Sequence, residues 1–315
     1  MTQIERPQAT PRTYLHEIRQ PGWPVVLVTL AYVDVIALIG DLRPEHIAVA
    51  CLIAAGWLAA NGFRIAIRAS APIVLVIIGF DSLRYLRPLF VTAGRIHGCD
   101  LRGVELALFG VAPDTTIADY FNIHHSPGFD LFFAIPYAAF IYVAILYGAT
   151  MYFRDRKRVR PGVWAYAFIY LIAFTCWMAF PAAPPWYIQA HGCVIDPGAG
   201  PSAAALMRVD AALGIHYFEG FYGRGPTAFG AMPSVHNAYP MLTLLVFWPI
   251  AGWKERVASI LYALWMICAS LYLDHHWLID GFAGWATAAL GVIFARLFVS
   301  RAAPNDRAIG KTAAS

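Results

Sequence analysis

The chain has 315 residues, of which 59% are hydrophobic, 15% aromatic and only 13% charged. Soluble domains usually carry about 25% charged residues, so this composition excludes a purely water-soluble globule, and its aromatic content excludes a disordered chain. The formal net charge of +4 is too small to indicate a nucleic-acid partner. Composition therefore predicts a polytopic membrane protein.

Eight apolar runs approach the length of about 20 helical residues that a bilayer crossing needs. In chain order they lie at 24–40, 45–62, 70–88, 128–152, 162–182, 233–250, 256–273 and 276–300. The first two are short and could be tilted or merged into one crossing. We therefore expect an all-α polytopic membrane protein with about eight transmembrane helices.

The basic residues in the connections indicate how the chain is oriented, because Lys and Arg are enriched in cytoplasmic loops. With the N-terminus in the cytoplasm, fifteen basic residues fall on the cytoplasmic side and seven on the other, while Arg296 lies inside the last span. The run RDRKRVR at 154–160 is the strongest single anchor. We expect both termini in the cytoplasm and the long loops 89–127 and 183–232 on the extracytoplasmic side.

Two cysteines, Cys99 and Cys193, lie in those long loops, each within a His-Gly-Cys tripeptide. An oxidising extracytoplasmic compartment permits a disulfide between them, although the sequence leaves open whether they meet. Cys51, Cys176 and Cys268 fall within spans, where cysteine acts as a small apolar residue.

The last span begins with a cluster of ionisable residues, which are rare at membrane depth and usually functional. Asp274, His275 and His276 are consecutive, and Asp280 follows His276 by four residues. Residues four apart share a helix face. Asp280 can then accept the Nδ1–H of His276 and leave Nε2 free as a nucleophile.

The sixth span opens with Pro233-Ser-Val-His236. Pro233 suits the first turn of a helix and Ser234 suits an N-cap, and the free N–H groups at such an end form an anion site. His236, expected about one turn into the helix, is placed to protonate a departing oxygen.

Two arginines, Arg84 and Arg87, lie three residues apart at the outer end of the third span. They can point in the same direction, and guanidinium groups bind phosphate bidentately. The structural alternative is a pair of interfacial arginines that reach toward the membrane surface. We also expect Asp130, at the start of the fourth span, to orient Arg84 or Arg87.

Together these motifs resemble the type-2 phosphatidic acid phosphatase superfamily, whose second and third signatures match Pro233-Ser-Val-His236 and the pair His276 and Asp280. Further stretches are similar to its inositol phosphorylceramide synthase branch. These are Ala183-Pro-Pro-Trp-Tyr187, Gly230-Ala-Met-Pro-Ser-Val-His236, the doublet His275-His276 with Asp280, and His125-Ser-Pro-Gly-Phe-Asp130 with Pro136-Tyr137. The resemblance covers roughly residues 80–290.

The resemblance implies a six-helix catalytic core and a role for each matching residue. His276 would be the nucleophile that forms a phosphohistidine, and Asp280 would orient it. His236 would protonate the leaving oxygen and then deprotonate the acceptor, while Ser234 would help hold the phosphate. Four further residues are implied as substrate contacts: His125, Asp130, Trp186 and Tyr187.

The chain departs from the superfamily pattern at three positions. It has Ser-Val-His in place of the usual Ser-Gly-His, and Ser270 stands where an arginine usually precedes the nucleophilic histidine by six residues. Phe80 occupies the position of the first-signature lysine relative to Arg87-Pro88. The phosphate clamp must therefore differ, and the candidates are Arg84, Arg87, Arg224 and His275.

We expect an enzyme that moves a phosphoinositol-like headgroup from a phospholipid donor to a ceramide-like hydroxyl within the bilayer, without a metal or cofactor. Segment 1–66 would hold two extra transmembrane helices, 67–301 the catalytic membrane domain and 302–315 a disordered tail. The main alternative is a lipid phosphatase in which water is the acceptor. A transporter or non-catalytic membrane protein, and a zinc site built from His236, His275, His276 and Asp280, are the others.

Overall fold

The computed structural model describes residues 23–58 and 61–301, and all regular secondary structure within these ranges is helical. The expected disordered tail, 302–315, lies outside the described residues. The helices are α1 (Trp23–Ile39), α2 (Pro44–Leu58), α3 (Asn61–Phe90), α4 (Cys99–Phe109), α5 (Ile117–Ile123), α6 (Pro127–Arg154), α7 (Val159–Ala179), α8 (Pro185–His191), α9 (Leu206–Leu213), α10 (Tyr217–Tyr222), α11 (Val235–Phe247), α12 (Trp253–Tyr272) and α13 (Leu278–Arg301).

Each of the eight predicted apolar runs coincides with a helix. Four segments are long and apolar enough to cross a membrane by length and composition: Ala69–Phe90, Pro127–Arg154, Arg156–Ala179 and Leu278–Ser300. The helices α1 and α2 are apolar but shorter, and α11 and α12 occupy the sixth and seventh runs. The chain is an all-α polytopic membrane protein.

The described residues divide into two compact units with the boundary between Ile78 and Gly79, whereas the sequence placed it between 66 and 67. In the first unit α1 packs against α2. Val25, Ile53, Ile67 and Val74 form its small apolar core. The second unit contains all the predicted site residues.

Glycines in α13 allow the helices of the second unit to approach closely. A Cβ on Gly284 would collide with the backbone carbonyl of Ser234, and a Cβ on Gly291 would lie 2.9 Å from the carbonyl oxygen of Ala165. Small residues let the backbones of membrane helices meet in this way. The beginning of α13 therefore lies against the beginning of α11, and the two histidine motifs come together there.

Three connecting segments, around His97, Ala182 and Gly230, pair with one another. Ala182, which is fully buried, forms parallel bridges with His97 on one side and Gly230 on the other. The hydrogen bond from Ala231 N to Ala182 O is 3.2 Å long. A disulfide between Cys99 and Cys193, with Cα atoms 5.6 Å apart, links the two long loops a second time.

Candidate active site

The two histidines singled out by the sequence lie side by side. His236 is the second residue of α11, and His276 lies two residues before α13 begins. His236 Nδ1 is 3.3 Å from His276 Nε2. Only 6% of the His276 surface is exposed, so the pair is largely shielded from water.

A backbone carbonyl fixes the proton on His276. Its Nδ1 lies 2.9 Å from the oxygen of Ala231, which can only accept a hydrogen bond. Nδ1 therefore carries the hydrogen, Nε2 carries the lone pair, and His236 Nδ1 must be the donor between the two rings.

The structure corrects the expected contact between Asp280 and His276. Asp280 Oδ2 is 3.8 Å from His276 Nδ1, too far for a hydrogen bond, and it accepts instead from the N–H of Trp277 at 2.9 Å. The reason is local, because Asp280 lies in the first turn of α13 and its carboxylate turns back over the start of that helix. Ala231, and not Asp280, accepts the hydrogen bond from His276 Nδ1.

A tyrosine that the sequence analysis did not select completes the chain of hydrogen bonds. The hydroxyl of Tyr222, at the end of α10, lies 3.3 Å from His236 Nε2. Burial, with a smaller contribution from Tyr217, raises the pKa of Tyr222 well above its ordinary value. The hydroxyl therefore stays protonated and donates to Nε2, which is the remaining acceptor nitrogen of His236.

Aromatic rings hold the histidines from one side. Tyr137 of α6 stacks on His236 with ring centroids 4.6 Å apart and on His275 with centroids 5.0 Å apart. Tyr222 also contacts His275, at 5.0 Å. Tyr137 belongs to the Pro136-Tyr137 motif, but the motif did not predict a role for it.

His275 is neutral in this environment. Burial, followed by the neighbouring imidazole of His276, lowers the pKa of His275 to about 3, although a hydrogen bond to the backbone of Ala203 opposes the shift. Its Nε2 is buried and has no hydrogen-bond partner among residues 23–58 and 61–301. A neutral ring whose N–H already contacts Ala203 has little to offer a phosphate oxygen.

The start of α11 is built around Ser234, which is the N-cap, as the sequence indicated. Its Oγ accepts from the N–H and the side-chain amide of Asn237, and that amide also donates to Ser270 Oγ at 3.0 Å. Pro233 precedes the helix and does not form its first turn. Ser234 is fully buried, so its hydroxyl organises the helix end.

Two N–H groups in the first turn of α11, those of Val235 and His236, have no acceptor in the part of the chain that the structure describes. They lie beside the histidine pair at the positive end of a 13-residue helix, which favours an anion. Arg224 is exposed and follows Tyr222 by two residues, so its backbone lies near the same end.

The expected clamp of Arg84 and Arg87 does not form, because the two side chains have different partners. Arg84 pairs with Asp81, with Nη2 and Oδ1 2.8 Å apart. Arg87 donates to the backbone carbonyls of Pro197 and Ala199, at 3.0 Å for the latter. Arg87 therefore fixes the long loop 183–232 to the end of α3.

Asp130 likewise has a partner other than the one expected. Its Oδ1 accepts from Arg208 Nε and from the hydroxyl of Tyr272, each at 3.0 Å, and neither Arg84 nor Arg87 contacts it. Asp130 lies in the first turn of α6, which faces α9 and α12. No motif pointed to Arg208, because α9 lies in a long loop.

Tyr187 is fully buried beneath the loop that follows α8. Its hydroxyl donates to Val194 O at 3.1 Å and accepts from Asp196 N at 2.7 Å. All of its polar capacity is used within the protein, which indicates a structural role.

Trp186 and His125 are more accessible. Trp186 is half-buried, and its backbone N–H donates to Asp274 O at 3.1 Å, next to the histidine doublet. His125 is 41% exposed at its side chain, with Nδ1 3.8 Å from Asp130 Oδ2. Both side chains are accessible enough to contact a substrate at the edge of the site. Within the described residues, no group of three or more His, Cys, Asp and Glu is arranged to hold a metal ion.

The chain is similar to known proteins over most of its length. The model of the PAP2 superfamily matches residues 111–294. A phosphoinositol dihydroceramide synthase of Bacteroides thetaiotaomicron is 32% identical over 86% of this chain and 89% of its own length. The inositol phosphorylceramide synthase catalytic subunit of Schizosaccharomyces pombe is 33% identical over 43% of this chain and 33% of its own.

The inositol phosphorylceramide synthase of Candida albicans is 29% identical over 49% of this chain and 33% of its own length. No solved structure matches the chain at a significant level. The family match covers more than half of the chain and includes His236, His276 and Asp280. The chain therefore belongs to the PAP2 superfamily and is an integral membrane enzyme of that family.

Proposed function

We propose that this enzyme transfers a phosphoinositol-type headgroup from a phospholipid to the hydroxyl of a ceramide-type lipid through a phosphohistidine on His276. The observation that carries the proposal is the 2.9 Å contact of His276 Nδ1 with Ala231 O, which leaves Nε2 unprotonated beside the His236 N–H. The names of the relatives, a phosphoinositol dihydroceramide synthase and inositol phosphorylceramide synthases, support the choice of headgroup and acceptor.

In the first half-reaction, His276 Nε2 attacks the phosphorus of the donor diester and the bond from phosphorus to the diacylglycerol oxygen breaks. With the anionic phosphodiester bound, His236 carries a proton on both ring nitrogens. Its Nδ1, which is 3.3 Å from the nucleophile, gives its proton to that departing oxygen and the ring is left neutral. The products are diacylglycerol and a phosphohistidine that still carries inositol. The Asp280 carboxylate, 3.8 Å from Nδ1, stabilises the positive charge that develops on the imidazole.

In the second half-reaction, the hydroxyl of the acceptor lipid attacks the phosphohistidine. His236, now unprotonated at Nδ1, takes the hydroxyl proton, and the bond from His276 Nε2 to phosphorus breaks. Inositol phosphorylceramide leaves and both histidines return to their starting state. Because one group is transferred in two displacements, the kinetics are expected to be ping-pong.

The phosphate would be held by the free N–H groups of Val235 and His236 and by Arg224. The first two are supplied by the start of α11, and Arg224 is exposed and follows Tyr222, whose hydroxyl contacts His236, by two residues. Arg84 and Arg87 are committed to Asp81 and to loop carbonyls. We therefore propose Arg224 as the principal charged contact.

The basic residues in the sequence support both termini in the cytoplasm and a site that faces the extracytoplasmic side. The disulfide between Cys99 and Cys193 joins the two long loops. It favours an extracytoplasmic position for them, because disulfides persist in oxidising compartments. Reporter fusions at the C-terminus and in loop 183–232 test this orientation.

The assay that tests the function uses purified protein, phosphatidylinositol labelled in its headgroup, and ceramide. We expect labelled inositol phosphorylceramide, and diacylglycerol in excess of one equivalent per enzyme, only when ceramide is present, and neither product with His276→Gln. Arg160→Gln, on an exposed residue far from the histidines, serves as the control and keeps full activity.

The same assay distinguishes the phosphatase alternative. Label released in water-soluble form at the same rate with and without ceramide would show that water is the acceptor, and would overturn the proposal. The burial of His276 and Asp280, at 6% and 0% exposure, favours transfer because it limits the access of water to the phosphohistidine.

A further inference from the structure

A second polar site lies at the end of the second unit away from the histidines. It is a cavity of about 350 Å³ whose polar walls are Asp155, Lys157, Arg158 and Arg296. Along α13, Arg296 is sixteen residues beyond Asp280, a distance of about 24 Å at 1.5 Å per residue. The cavity is therefore separate from the catalytic centre. We propose that it binds the headgroup of an anionic phospholipid.

The charges of the cavity favour a phosphate group. Three basic residues and one acidic residue give a net charge of 3 − 1 = +2. Arg158 is paired with Asp155 at 3.0 Å, whereas Lys157 and Arg296 have no ion-pair partner in the described residues. Two positive side chains from different helical elements thus face one space without a counter-charge.

The helix that begins at the cavity adds to this field. Arg158 immediately precedes α7, a helix of 21 residues, and Pro161 of its first turn lines the wall. The N-terminal end of a long helix carries a partial positive charge and favours anions. This partial charge adds to the positive charges of Lys157 and Arg296, which have no ion-pair partner in the described residues.

The remaining walls favour a lipid over a free phosphate. Val246 and Val292 line the cavity on the side of α11 and α13. On α13, Ile293 and Leu297 are about half exposed beside Arg296, as expected of a surface that faces lipid tails. Basic pockets between membrane helices bind anionic headgroups in this arrangement. Basic residues that served orientation alone would need neither a cavity nor an apolar wall.

The test measures lipid binding to the purified full-length protein in neutral detergent, by native mass spectrometry and by the shift in thermal stability. We expect phosphatidylglycerol to bind and stabilise the protein, and phosphatidylcholine to do so far less. The double variant Lys157→Gln with Arg296→Gln should weaken phosphatidylglycerol binding about 30-fold, at about 1 kcal/mol for each basic residue. Arg296→Lys, which keeps the charge, should retain it.

The matched control removes two charges from the same connection without touching the cavity: Arg156→Gln with Arg160→Gln. Equal loss in the control and cavity variants would show a general surface attraction and overturn the proposal, as would equal binding of the two lipids. Competition by glycerol phosphate at the same concentration would assign the cavity to a soluble ligand and also overturn it. Transferase activity measured with phosphatidylinositol and ceramide as the only added lipids should be unchanged in all variants, which confirms that they fold.

Discussion

The catalytic chemistry depends on which nitrogen of each histidine carries a hydrogen, and three neighbours decide this. Ala231 O accepts a hydrogen bond from His276 Nδ1, and His276 Nε2 accepts one from His236 Nδ1. The Tyr222 hydroxyl donates to the remaining nitrogen, His236 Nε2. Each contact has only one chemically consistent direction. The proposed nucleophile, His276 Nε2, thus carries a lone pair before a substrate binds.

Tyr222→Phe tests this order. The variant loses the hydrogen bond to His236 Nε2, and kcat should fall about 5- to 10-fold, equivalent to about 1–1.5 kcal/mol for one neutral hydrogen bond. KM should change little if Tyr222 positions His236 without contacting substrate. Tyr217→Phe, on an exposed ring of the same helix, is the control. Equal kcat values for the two variants would refute the role of Tyr222.

Asp274 predicts a dependence of stability on pH. Burial raises its pKa to about 7, and Asp119 adds to the shift, while a hydrogen bond from Gln189 and the charge of Arg208 oppose it. Between its ordinary pKa, about 3.9, and this value, the folded state holds a proton that the unfolded chain has lost. The contribution of Asp274 to stability therefore declines as pH rises through this window and is level above pH of about 7.

The measurement is the Tm of the purified protein across that pH window, for the wild type and for Asp274→Asn. We expect a decline with rising pH in the wild type and a flatter profile in the variant. Asp114→Asn, at an exposed position, should keep the wild-type profile. Parallel wild-type and Asp274→Asn profiles would disprove the assignment.

At the scale of elements, one buried carboxylate attaches α13 to the long loop 89–127. Glu105 of α4 is fully buried and accepts from the N–H groups of Leu278, at 2.8 Å, and Ile279, at 3.2 Å. It therefore caps α13 from a different element, while Asp280 covers Trp277 N. The N–H groups of Trp277, Leu278 and Ile279 at the start of α13 therefore have acceptors within the protein, unlike those of Val235 and His236 at the start of α11.

Glu105→Ala should destabilise the protein by about 1–3 kcal/mol, because two buried N–H groups lose their acceptor. Activity should fall with it, since the same turn carries His276 and Asp280. Thermal and denaturant unfolding give the measurement. Glu219→Ala, at an exposed glutamate of α10, should change stability by less than about 0.5 kcal/mol. A similar small effect at Glu105 would contradict its role as a cap.

The helices that cross the membrane could be predicted because each is a continuous apolar run, and the runs differ from the helices by only a few residues at most ends. The cluster of His236, His276 and Asp280 could be found because its residues are costly at membrane depth. Glu105 and Arg208 could not be found, because they lie on short helices within the two long loops and their partners are distant in the chain. The Arg84–Arg87 clamp failed for the same reason, since loop carbonyls compete for Arg87.

At the scale of the molecule, the two long loops are joined covalently over a separation of 94 residues. Closing a loop of this size typically stabilises a protein by about 2–4 kcal/mol. The double variant Cys99→Ser with Cys193→Ser should therefore have a lower Tm than the wild type. Reductant should lower the Tm of the wild type and leave that of the variant unchanged. If reductant changes neither, the disulfide does not contribute to stability.

The phosphohistidine on His276 is the claim on which the mechanism depends, and trapping it tests that claim most directly. Purified enzyme is mixed with phosphatidylinositol labelled at phosphorus, quenched in alkali, and its labelled peptide is identified by mass spectrometry. We predict label on His276 that disappears on addition of ceramide, is absent from His276→Gln, and persists at a reduced rate of formation in His236→Gln. Turnover with no labelled protein, or label on another residue, would contradict the account.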